Sequence, residues 1–367
     1  MNILKSKSYA IPVISVGNIT VGGTGKTPHV EYLIQLLKDQ FHVAMLSRGY
    51  KRKSSGYVLA TTETPMKMIG DEPYQIKQKY PKVTVAVDGK RTRGIEHLTQ
   101  DAETKETDVI LLDDAFQHRY VKPGVNILLV DYHRSIIFDK LIPAGRLREP
   151  LKGKDRADIV IVTKCPKDLK PMEFRVLTKQ MNLFPYQQLY FTTLDYGRLK
   201  RVFQSNQNTP NNQIIPENLE NLSDYHVLLL TGIASPKQIY YDVKPHAKDI
   251  KTLAYGDHHV FKQRDIQHIN ETFANMPSPK VIITTEKDMV RLETAEGLSD
   301  EVRSKLLVLP VRISFMLEGE TMFNENIIGY VRKNSRNSIL AKGKDDYQSD
   351  DSNRAGDRPR TISFRNN

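Results

Sequence analysis

The stretch that decides the fold is SVGNITVGGTGKTP, residues 15–28. It continues an apolar run at residues 13–16 that predicts a β-strand, and it runs into apolar residues at helical spacing, Val30, Leu33, Ile34 and Leu37. Pro28 suits the first turn of that helix, where backbone amides lack intrahelical partners. The sequence therefore predicts a strand, a glycine-rich loop and an amphipathic helix in immediate succession.

This succession is typical of a Walker A phosphate-binding loop, although Thr20 stands where the first glycine of the pattern usually lies. Glycines allow the backbone amides to turn toward a phosphate, and the helix N-terminus adds positive potential. Lys26 is expected to contact the β- and γ-phosphoryl oxygens, and the Thr27 hydroxyl is expected to bind Mg²⁺. The predicted nucleotide-binding residues are Gly22, Gly23, Thr24, Gly25, Lys26 and Thr27.

The rest of the chain alternates short apolar runs with helical patterns, which predicts an α/β fold with a mainly parallel sheet flanked by helices, like that of P-loop NTPases. Nearly uniform apolar runs are expected for strands covered on both faces. Such runs occur at residues 43–46, 83–87, 109–112, 127–130 and 159–162.

Changes in composition predict four segments. Residues 1–185 form the P-loop domain, and 186–224 form a linker with a β-hairpin (190–193 and 199–203) and a polar loop at 204–216. Residues 225–333 form a second, smaller α/β domain with strands at 227–230, 281–284 and 306–311. Residues 334–367 are poor in apolar residues, which predicts a disordered tail.

The amino-acid composition limits the classes of molecule that the protein is expected to bind. The net charge of +11 and the pI of about 9.4 favour an acidic partner, such as a nucleotide, a nucleic acid, a phosphorylated lipid or an anionic membrane. The single cysteine, Cys165, excludes an internal disulfide framework and is expected to have no chemical role. No apolar run is long enough to span a bilayer, so an activity on lipids requires peripheral attachment.

An apolar strand that ends in two aspartates, Asp113 and Asp114, indicates a Walker B arrangement, with carboxylates beside Mg²⁺. A second carboxylate pair, Asp71 and Glu72, follows Gly70. The local sequence allows two interpretations of this pair: it caps a helix, or it accepts a proton from an alcohol.

Two further segments carry candidate site residues. The stiff segment 143–150 contains Arg148 and Glu149 between prolines, and an arginine fork there matches phosphate oxygens. Arg91 is a further candidate anion contact. Asp257, His258 and His259 place a carboxylate beside two imidazoles, although no third ligand at zinc spacing follows.

In combination these segments resemble the tetraacyldisaccharide 4′-kinase family. The matching segments are residues 15–28, 46–50, 70–73, 113–119, 143–150, 257–259 and 285–288, so the resemblance covers the chain from about residue 3 to about residue 331. The small polar residue at Thr20 is expected in this family.

The resemblance implies transfer of the γ-phosphoryl group of ATP to the 4′-hydroxyl of a tetraacyldisaccharide 1-phosphate in lipid A biosynthesis, with Mg²⁺. It implies that Asp71 accepts the proton with support from His258, chosen over His259. It further implies that Lys26, Thr27, Asp113 and Asp114 serve the nucleotide and the metal. Other residues at family active-site positions are Glu72, Arg91, Gln117, Arg148 and Glu149.

The implied partner is an anionic acylated disaccharide lipid and not nucleic acid, and the implied location is the cytosolic face of the bacterial inner membrane, held peripherally. The N-terminal apolar segment usual in the family is expected to be absent, so the basic surface and the lipid substrate would provide attachment. Two alternatives stay open: a nucleotide-switched P-loop assembly factor (a GTPase or ATPase), disfavoured by the absence of an N-K-x-D pattern, and a kinase of a soluble sugar. The oligomeric state is open.

Overall fold

The computed structural model describes residues 5–203, 215–234 and 236–350, with side chains as far as Ser335. The strands are β1 (Val13–Gly17), β2 (Val43–Ser47), β3 (Val58–Ala60), β4 (Thr84–Val87), β5 (Val109–Asp113), β6 (Val125–Asp131), β7 (Ile159–Thr163), β8 (Gln188–Tyr196), β9 (Lys200–Arg201), β10 (His226–Thr231), β11 (Asp249–Ala254), β12 (Lys280–Thr285), β13 (Leu306–Leu309) and β14 (Val311–Phe315). The helices are α1 (Lys26–Leu37), α2 (Met66–Ile69), α3 (Asp71–Lys79), α4 (Arg91–Gln100), α5 (Pro171–Met181), α6 (Lys237–Val243), α7 (Gln263–Ala274), α8 (Glu286–Glu293), α9 (Asp300–Lys305) and α10 (Gly319–Asp350).

The larger sheet has nine strands in the order β14-β8-β7-β6-β1-β5-β2-β4-β3, and the strands from β8 to β4 run parallel. Its central strand, β1, lies between β5 and β6, with Val16 opposite Asp113. All five residues of β1 and of β5 are buried, as expected for strands covered on both faces. The predicted α/β fold is therefore confirmed, and its topology brings the end of β5 beside the phosphate loop.

The smaller sheet has five strands in the order β11-β10-β12-β13-β9, and β9 is its antiparallel edge strand. Helix α7 covers one face through Ile266, Ile269 and Phe273, which are almost fully buried with Leu228 and Ile282 of the sheet. This second α/β unit has its own hydrophobic core.

The predicted hairpin at residues 186–224 differs from the structure. Strand β8 pairs with β7 and β14 in the larger sheet, whereas β9 pairs with β13 in the smaller one. Most of the predicted polar loop, at 204–214, lies outside the described residues. Local strand propensity marks both segments as extended, but it carries no information on which partner each finds.

The predicted boundaries of the second domain also differ. Pro310 divides the predicted strand at 306–311, so that β13 stays in the smaller sheet while β14 joins the larger one beside β8. The amide of Gly197 donates to the Pro310 carbonyl at 2.9 Å, so the two connections between the units lie side by side. Proline cannot donate to a ladder, which explains why the strand breaks there.

After β14 the chain packs back on the first unit. Phe323, Ile327 and Val331 of α10 are buried in the same core as Ile14 of β1. The helix continues to Asp350, so residues 334–350 are helical where the composition predicts disorder, and residues 351–367 lie outside the described residues. The first part of α10 is packed against the first unit, which explains the difference. Propagating a helix that has already formed costs far less than nucleating one.

Among the helices that the structure describes, none combines the length and the apolar character that a bilayer crossing requires.

Candidate active site

The phosphate loop joins β1 to α1 with two glycines in left-handed conformations, Gly22 at φ 108° and Gly25 at φ 83°. Residues with a side chain rarely adopt these angles, so the loop requires glycine at both positions. The Asn18 amide donates to Thr24 Oγ1 at 2.8 Å, and the Thr163 hydroxyl donates to the Thr24 carbonyl at 3.0 Å. The loop is therefore held in shape at the N-terminus of α1, an arrangement suited to phosphate.

Two side chains that the sequence analysis did not assign to the site, Lys164 and His29, brace this loop. Lys164 Nζ donates to the Gly23 carbonyl and lies 2.8 Å from Asp131 Oδ2. The His29 ring contacts the Gly25 carbonyl at 2.7 Å and Thr192 Oγ1 at 3.1 Å. Burial lowers the pKa of His29 to about 4, so the imidazole is neutral near pH 7. His29 is close to the loop in sequence, whereas Lys164 is brought to it only by the tertiary structure.

Asp113 ends β5, buried, and its Oδ2 accepts a hydrogen bond from the Ser47 hydroxyl at 3.2 Å. Burial, with repulsion from Glu72 and Asp114, raises the pKa of Asp113 to about 7. Asp114 lies past the strand end at φ 46°, with Oδ1 3.7 Å from Lys26 Nζ. The structure therefore gathers three carboxylates close to the phosphate loop.

This donor set fits a magnesium ion. Asp114 Oδ1 is buried and accepts no hydrogen bond from the described residues, although Lys26 and Arg148 lie 3.7 and 3.5 Å away. The pKa of Asp113 is raised by burial first and by repulsion from Glu72 and Asp114 second. A divalent cation relieves both conditions, and carboxylate and hydroxyl oxygens are the ligands that Mg²⁺ prefers. Thr27, in the first turn of α1, completes the predicted set.

The predicted residues Gln117, Arg148 and Glu149 form a brace over the phosphate loop. Arg148 donates to the Thr20 carbonyl at 2.9 Å and to Asn18 Oδ1 at 3.0 Å, and its Nη1 lies 3.5 Å from Asp114 Oδ1. Gln117 Nε2 donates to Glu149 Oε1 at 3.1 Å. Arg148 thus places positive charge beside the carboxylates and holds the loop.

Arg91 is buried at the start of α4, and its Nη2 donates to the Asp113 carbonyl at 3.2 Å. Burial lowers the pKa of Arg91 to about 10, which still leaves the guanidinium charged at neutral pH. Its contact is with the backbone behind the carboxylate cluster.

Asp71 begins α3 directly after Gly70, whose φ of 90° directs the chain into the helix. Its Oδ2 lies 3.0 Å from His258 Nδ1 and 2.9 Å from Arg291 Nε. Burial by itself would raise the pKa of Asp71, but hydrogen bonds and charge from His258 and Arg291 lower it to about 2. His259 contacts Asp265 instead, at 2.9 Å.

Sequence analysis missed Arg291. Its Nη1 donates to Asp288 Oδ1 at 3.0 Å, and Asp288 in turn accepts the Gly232 amide at 2.8 Å. Lys287 and Arg291 are four residues apart on α8, so they share a helix face. This spacing, after the motif that begins at Thr285, is the signal that could have identified the arginine.

The two units meet through charged pairs between α3 and α8. Lys287 Nζ lies 3.3 Å from Glu72, 3.2 Å from Asp257 and 3.1 Å from His258 Nε2. Lys79 bridges Glu31 and Glu286, the latter at 2.7 Å. These contacts couple the Asp71–His258 pair to the packing of one unit on the other.

Between the units lies a cavity of about 210 Å³. The phosphate loop lines one side through residues 23–28, and Asp257, Thr285, Glu286 and Lys287 line the other. Glu72, the neighbour of Asp71, also lines it. Of the predicted site residues, the phosphate loop and Glu72 thus line this cleft directly. Asp71 and His258 are the chain neighbours of two lining residues, Glu72 and Asp257, and contact each other beside the cleft. Cys165 is buried and is not among the residues that line this cavity, and burial raises the pKa of its thiol to about 12.

Known proteins are similar to this sequence over nearly its whole length. The family model described as tetraacyldisaccharide-1-P 4'-kinase matches residues 1–332. Proteins named tetraacyldisaccharide 4'-kinase are similar: that of Phocaeicola vulgatus is 56% identical over 92% of this chain and 90% of its own, and that of Bacteroides thetaiotaomicron is 52% identical over 94% and 91%. That of Porphyromonas gingivalis is 41% identical over 90% and 91%.

A solved structure is similar in fold. The crystal structure of LpxK from Aquifex aeolicus in complex with ATP superposes with a TM-score of 0.64 at 28% identity, over 89% of this chain and 90% of that one.

Proposed function

The chain belongs to the tetraacyldisaccharide-1-P 4'-kinase family, and from this premise we propose that it transfers the γ-phosphoryl group of ATP to the 4′-hydroxyl of a tetraacyldisaccharide 1-phosphate in lipid A biosynthesis. It is an ATP-dependent phosphotransferase with an alcohol as acceptor. The observation that carries the proposed roles is the shared cleft, which Glu72 and Asp257, the chain neighbours of Asp71 and His258, line together with the phosphate loop.

At the nucleotide end, residues 22–27 are proposed to enclose the phosphates with their backbone amides. Lys26 neutralises the charge that develops between the β- and γ-phosphoryl groups, and Arg148, beside Asp114, adds positive charge at the same end. Gln117 and Glu149 keep Arg148 in place, and the buried Arg91 steadies the Asp113 backbone.

Thr27, Asp113 and Asp114 are proposed to hold Mg²⁺, which supplies charge neutralisation for the transferring phosphoryl group when bound. Asp114 Oδ1, which accepts no hydrogen bond from the described residues, supports this assignment. Glu72, which repels Asp113, contributes a further carboxylate to the field around that site.

At the acceptor end, Asp71 is proposed to receive the hydroxyl proton. The hydroxyl oxygen forms a bond to the γ-phosphorus while the bond from that phosphorus to the β–γ bridging oxygen breaks, and ADP leaves. The proton passes to Asp71, whose carboxylate His258 orients.

The low pKa of Asp71, about 2, has a chemical consequence. The carboxylate is ionised at every physiological pH and therefore available as an acceptor, but it is a weak base. Such a base suits a loose transition state, in which the alcohol becomes acidic late, once its bond to phosphorus has formed.

The proposed acceptor is an anionic acylated disaccharide lipid, so we infer that the protein works peripherally on the cytosolic face of the bacterial inner membrane. Its net charge of +11 supports attraction to an anionic leaflet.

The test is an assay with radiolabelled ATP and a tetraacyldisaccharide 1-phosphate in mixed micelles, followed by chromatography of the lipid. Wild-type protein should yield a labelled lipid, and Asp71→Asn should lower turnover at least about a hundredfold while ATP binding persists. Asp39→Asn is the matched control, because that carboxylate is 78% exposed on the surface.

Full turnover in Asp71→Asn would remove Asp71 from the proposed role. Labelled product from a soluble sugar alone, or hydrolysis stimulated only by a protein partner, would overturn the proposed acceptor.

A further inference from the structure

A short loop beside the phosphate-binding site exposes an unusual amount of apolar surface. In residues 137–147, the side chains of Phe138, Leu141 and Ile142 are 74%, 45% and 52% exposed. Pro143 and Ala144, next in sequence, are exposed as well. Contiguous exposed apolar side chains are uncommon on a soluble protein and mark contact surfaces.

Part of the backbone of this loop is paired within the loop itself. The Leu147 amide donates to the Lys140 carbonyl at 2.9 Å, and the Ile142 amide donates to the Leu147 carbonyl at 3.0 Å. Asp139 Oδ1 accepts the amides of Lys140 and Arg146 at 2.8 and 3.0 Å. Each backbone group paired in this way needs no water partner, which lowers the cost of moving the loop into a medium poor in water.

The charges around the apolar side chains are suited to an anionic surface. Lys140 and Arg146 are exposed and flank Leu141 and Ile142 in sequence. The intervening acidic residue, Asp139, directs one carboxylate oxygen to backbone amides of the loop. Apolar side chains bordered by cations are typical of segments that lie in the headgroup region of a bilayer.

The same loop is joined directly to the phosphate-binding site. The amide of Val21, itself 41% exposed, donates to the Arg146 carbonyl at 2.9 Å. Two residues later, the Arg148 amide donates to the Ile19 carbonyl at 2.8 Å. A bilayer in contact with the loop would therefore lie next to the phosphate-binding site. An acceptor held in that bilayer would be within reach of the site.

We propose that the 137–147 loop docks the protein on an anionic bilayer, with Phe138, Leu141 and Ile142 entering the interface and Lys140 and Arg146 contacting lipid phosphates. This inference rests on the proposed function, because that function requires an acceptor held in a membrane. Cation contacts with headgroups make the docking sensitive to salt, and the apolar side chains make part of it persist at high salt.

The sequence contains no tryptophan, so a single introduced one reports on its own surroundings. Phe138→Trp is measured with vesicles of phosphatidylcholine and phosphatidylglycerol, with and without brominated acyl chains. The emission should shift to the blue and be quenched by the brominated lipid. Tyr241→Trp, at a position 64% exposed on α6 of the second unit, is the control and should show neither effect.

The outcomes separate the possible occupants. If the protein sediments with vesicles but the introduced tryptophan is not quenched, another surface docks and the proposal is wrong. A blue shift that depends on protein concentration without vesicles would assign the loop to a second copy of the chain. Absence of vesicle binding also overturns the proposal. None of these readouts needs enzyme turnover, so they test the docking proposal independently of the proposed function.

A second experiment links docking to catalysis. The variant Phe138→Ser with Ile142→Ser should bind vesicles about tenfold or more weakly, since two apolar side chains no longer leave water. Its kcat/KM should fall with acceptor presented in vesicles and stay at the wild-type value with a short-chain acceptor dispersed in detergent. An equal loss with both forms of acceptor would show that the loop acts on the site and not on the membrane.

Discussion

Arg291 connects the proposed proton acceptor to the second unit, and its replacement by methionine tests how Asp71 is held. The guanidinium is 5% exposed, donates to Asp71 Oδ2 through Nε at 2.9 Å, and donates to Asp288 Oδ1 through Nη1 at 3.0 Å. Methionine keeps an unbranched stem but carries no charge or donor. Both carboxylates therefore lose their guanidinium partner in Arg291→Met.

The expected loss of stability follows from burial. Removing one member of a buried ion pair costs about 3–5 kcal/mol, because the other charge stays buried. Asp288 keeps its hydrogen bonds to the Gly232 amide and the Thr285 hydroxyl, and Asp71 keeps His258. We therefore expect a loss of about 3 kcal/mol, near the lower limit, in the free energy of unfolding.

The pH dependence follows from the pKa of Asp71. Burial acts to raise this pKa, and His258 with Arg291 lowers it to about 2, below its value in the unfolded chain. The resulting stability is present above the unfolded-state pKa and is lost as the pH falls toward 2. Without Arg291 the folded-state pKa rises, so the acid limb of kcat/KM should move to higher pH.

The assay compares urea unfolding and the pH profile of kcat/KM for wild type, Arg291→Met, Arg291→Lys and the double variant Asp71→Asn with Arg291→Met. We expect kcat to fall roughly tenfold or more in Arg291→Met, because a misdirected carboxylate loses orientation. Arg291→Lys should recover part of that loss. The double variant should be no slower than Asp71→Asn, since the arginine would act through Asp71.

Arg264→Met, at a side chain 79% exposed on α7, is the control and should change stability by less than about 0.5 kcal/mol. An unmoved acid limb, together with a double variant whose loss equals the product of the two single losses, would refute the reasoning. Arg291 would then serve only to hold the two units together.

Three further predictions concern the metal, a buried histidine and a close backbone approach. Chelation by EDTA should abolish phosphoryl transfer, Mg²⁺ should restore it, and Thr27→Ala should raise the Mg²⁺ concentration that gives half-maximal rate. Because burial lowers the pKa of His29 to about 4, unfolding free energy should fall as the pH drops from about 6.5 to 4, by at most about 3 kcal/mol. His29→Gln should weaken this dependence, and His42→Gln, at an exposed ring, should leave it intact. Gly124→Ala should lower the Tm, since its Cβ would lie 1.9 Å from the Tyr330 hydroxyl of α10, and Tyr330→Phe should recover part of the loss.

Several features were predictable because their signals are local. The strand, loop and helix around residues 15–28 are contiguous, and the glycine conformations they require depend on a few neighbouring dihedral angles. The aspartates at the end of β5 follow the same logic, since the ends of parallel strands meet at one edge of the sheet. The family resemblance drawn from these motifs is confirmed by the matches over the whole chain.

The division into units was less predictable. Strand propensity marked residues 306–311 as extended, but the sheet that each half joins depends on which edge is open to it. Pro310 signals a break, yet the pairing of β14 with β8 is a contact between segments more than one hundred residues apart in the chain.

The amino-acid sequence by itself determined the α/β class, the phosphate loop and the carboxylates at the end of β5, because each is encoded in adjacent residues. Only the tertiary structure decided that His258 and not His259 contacts Asp71, and that Arg291 shares this carboxylate. These contacts span about two hundred residues of chain. Periodicity and propensity describe the surroundings of a residue along the chain, whereas a charge pair between two units depends on how their surfaces pack.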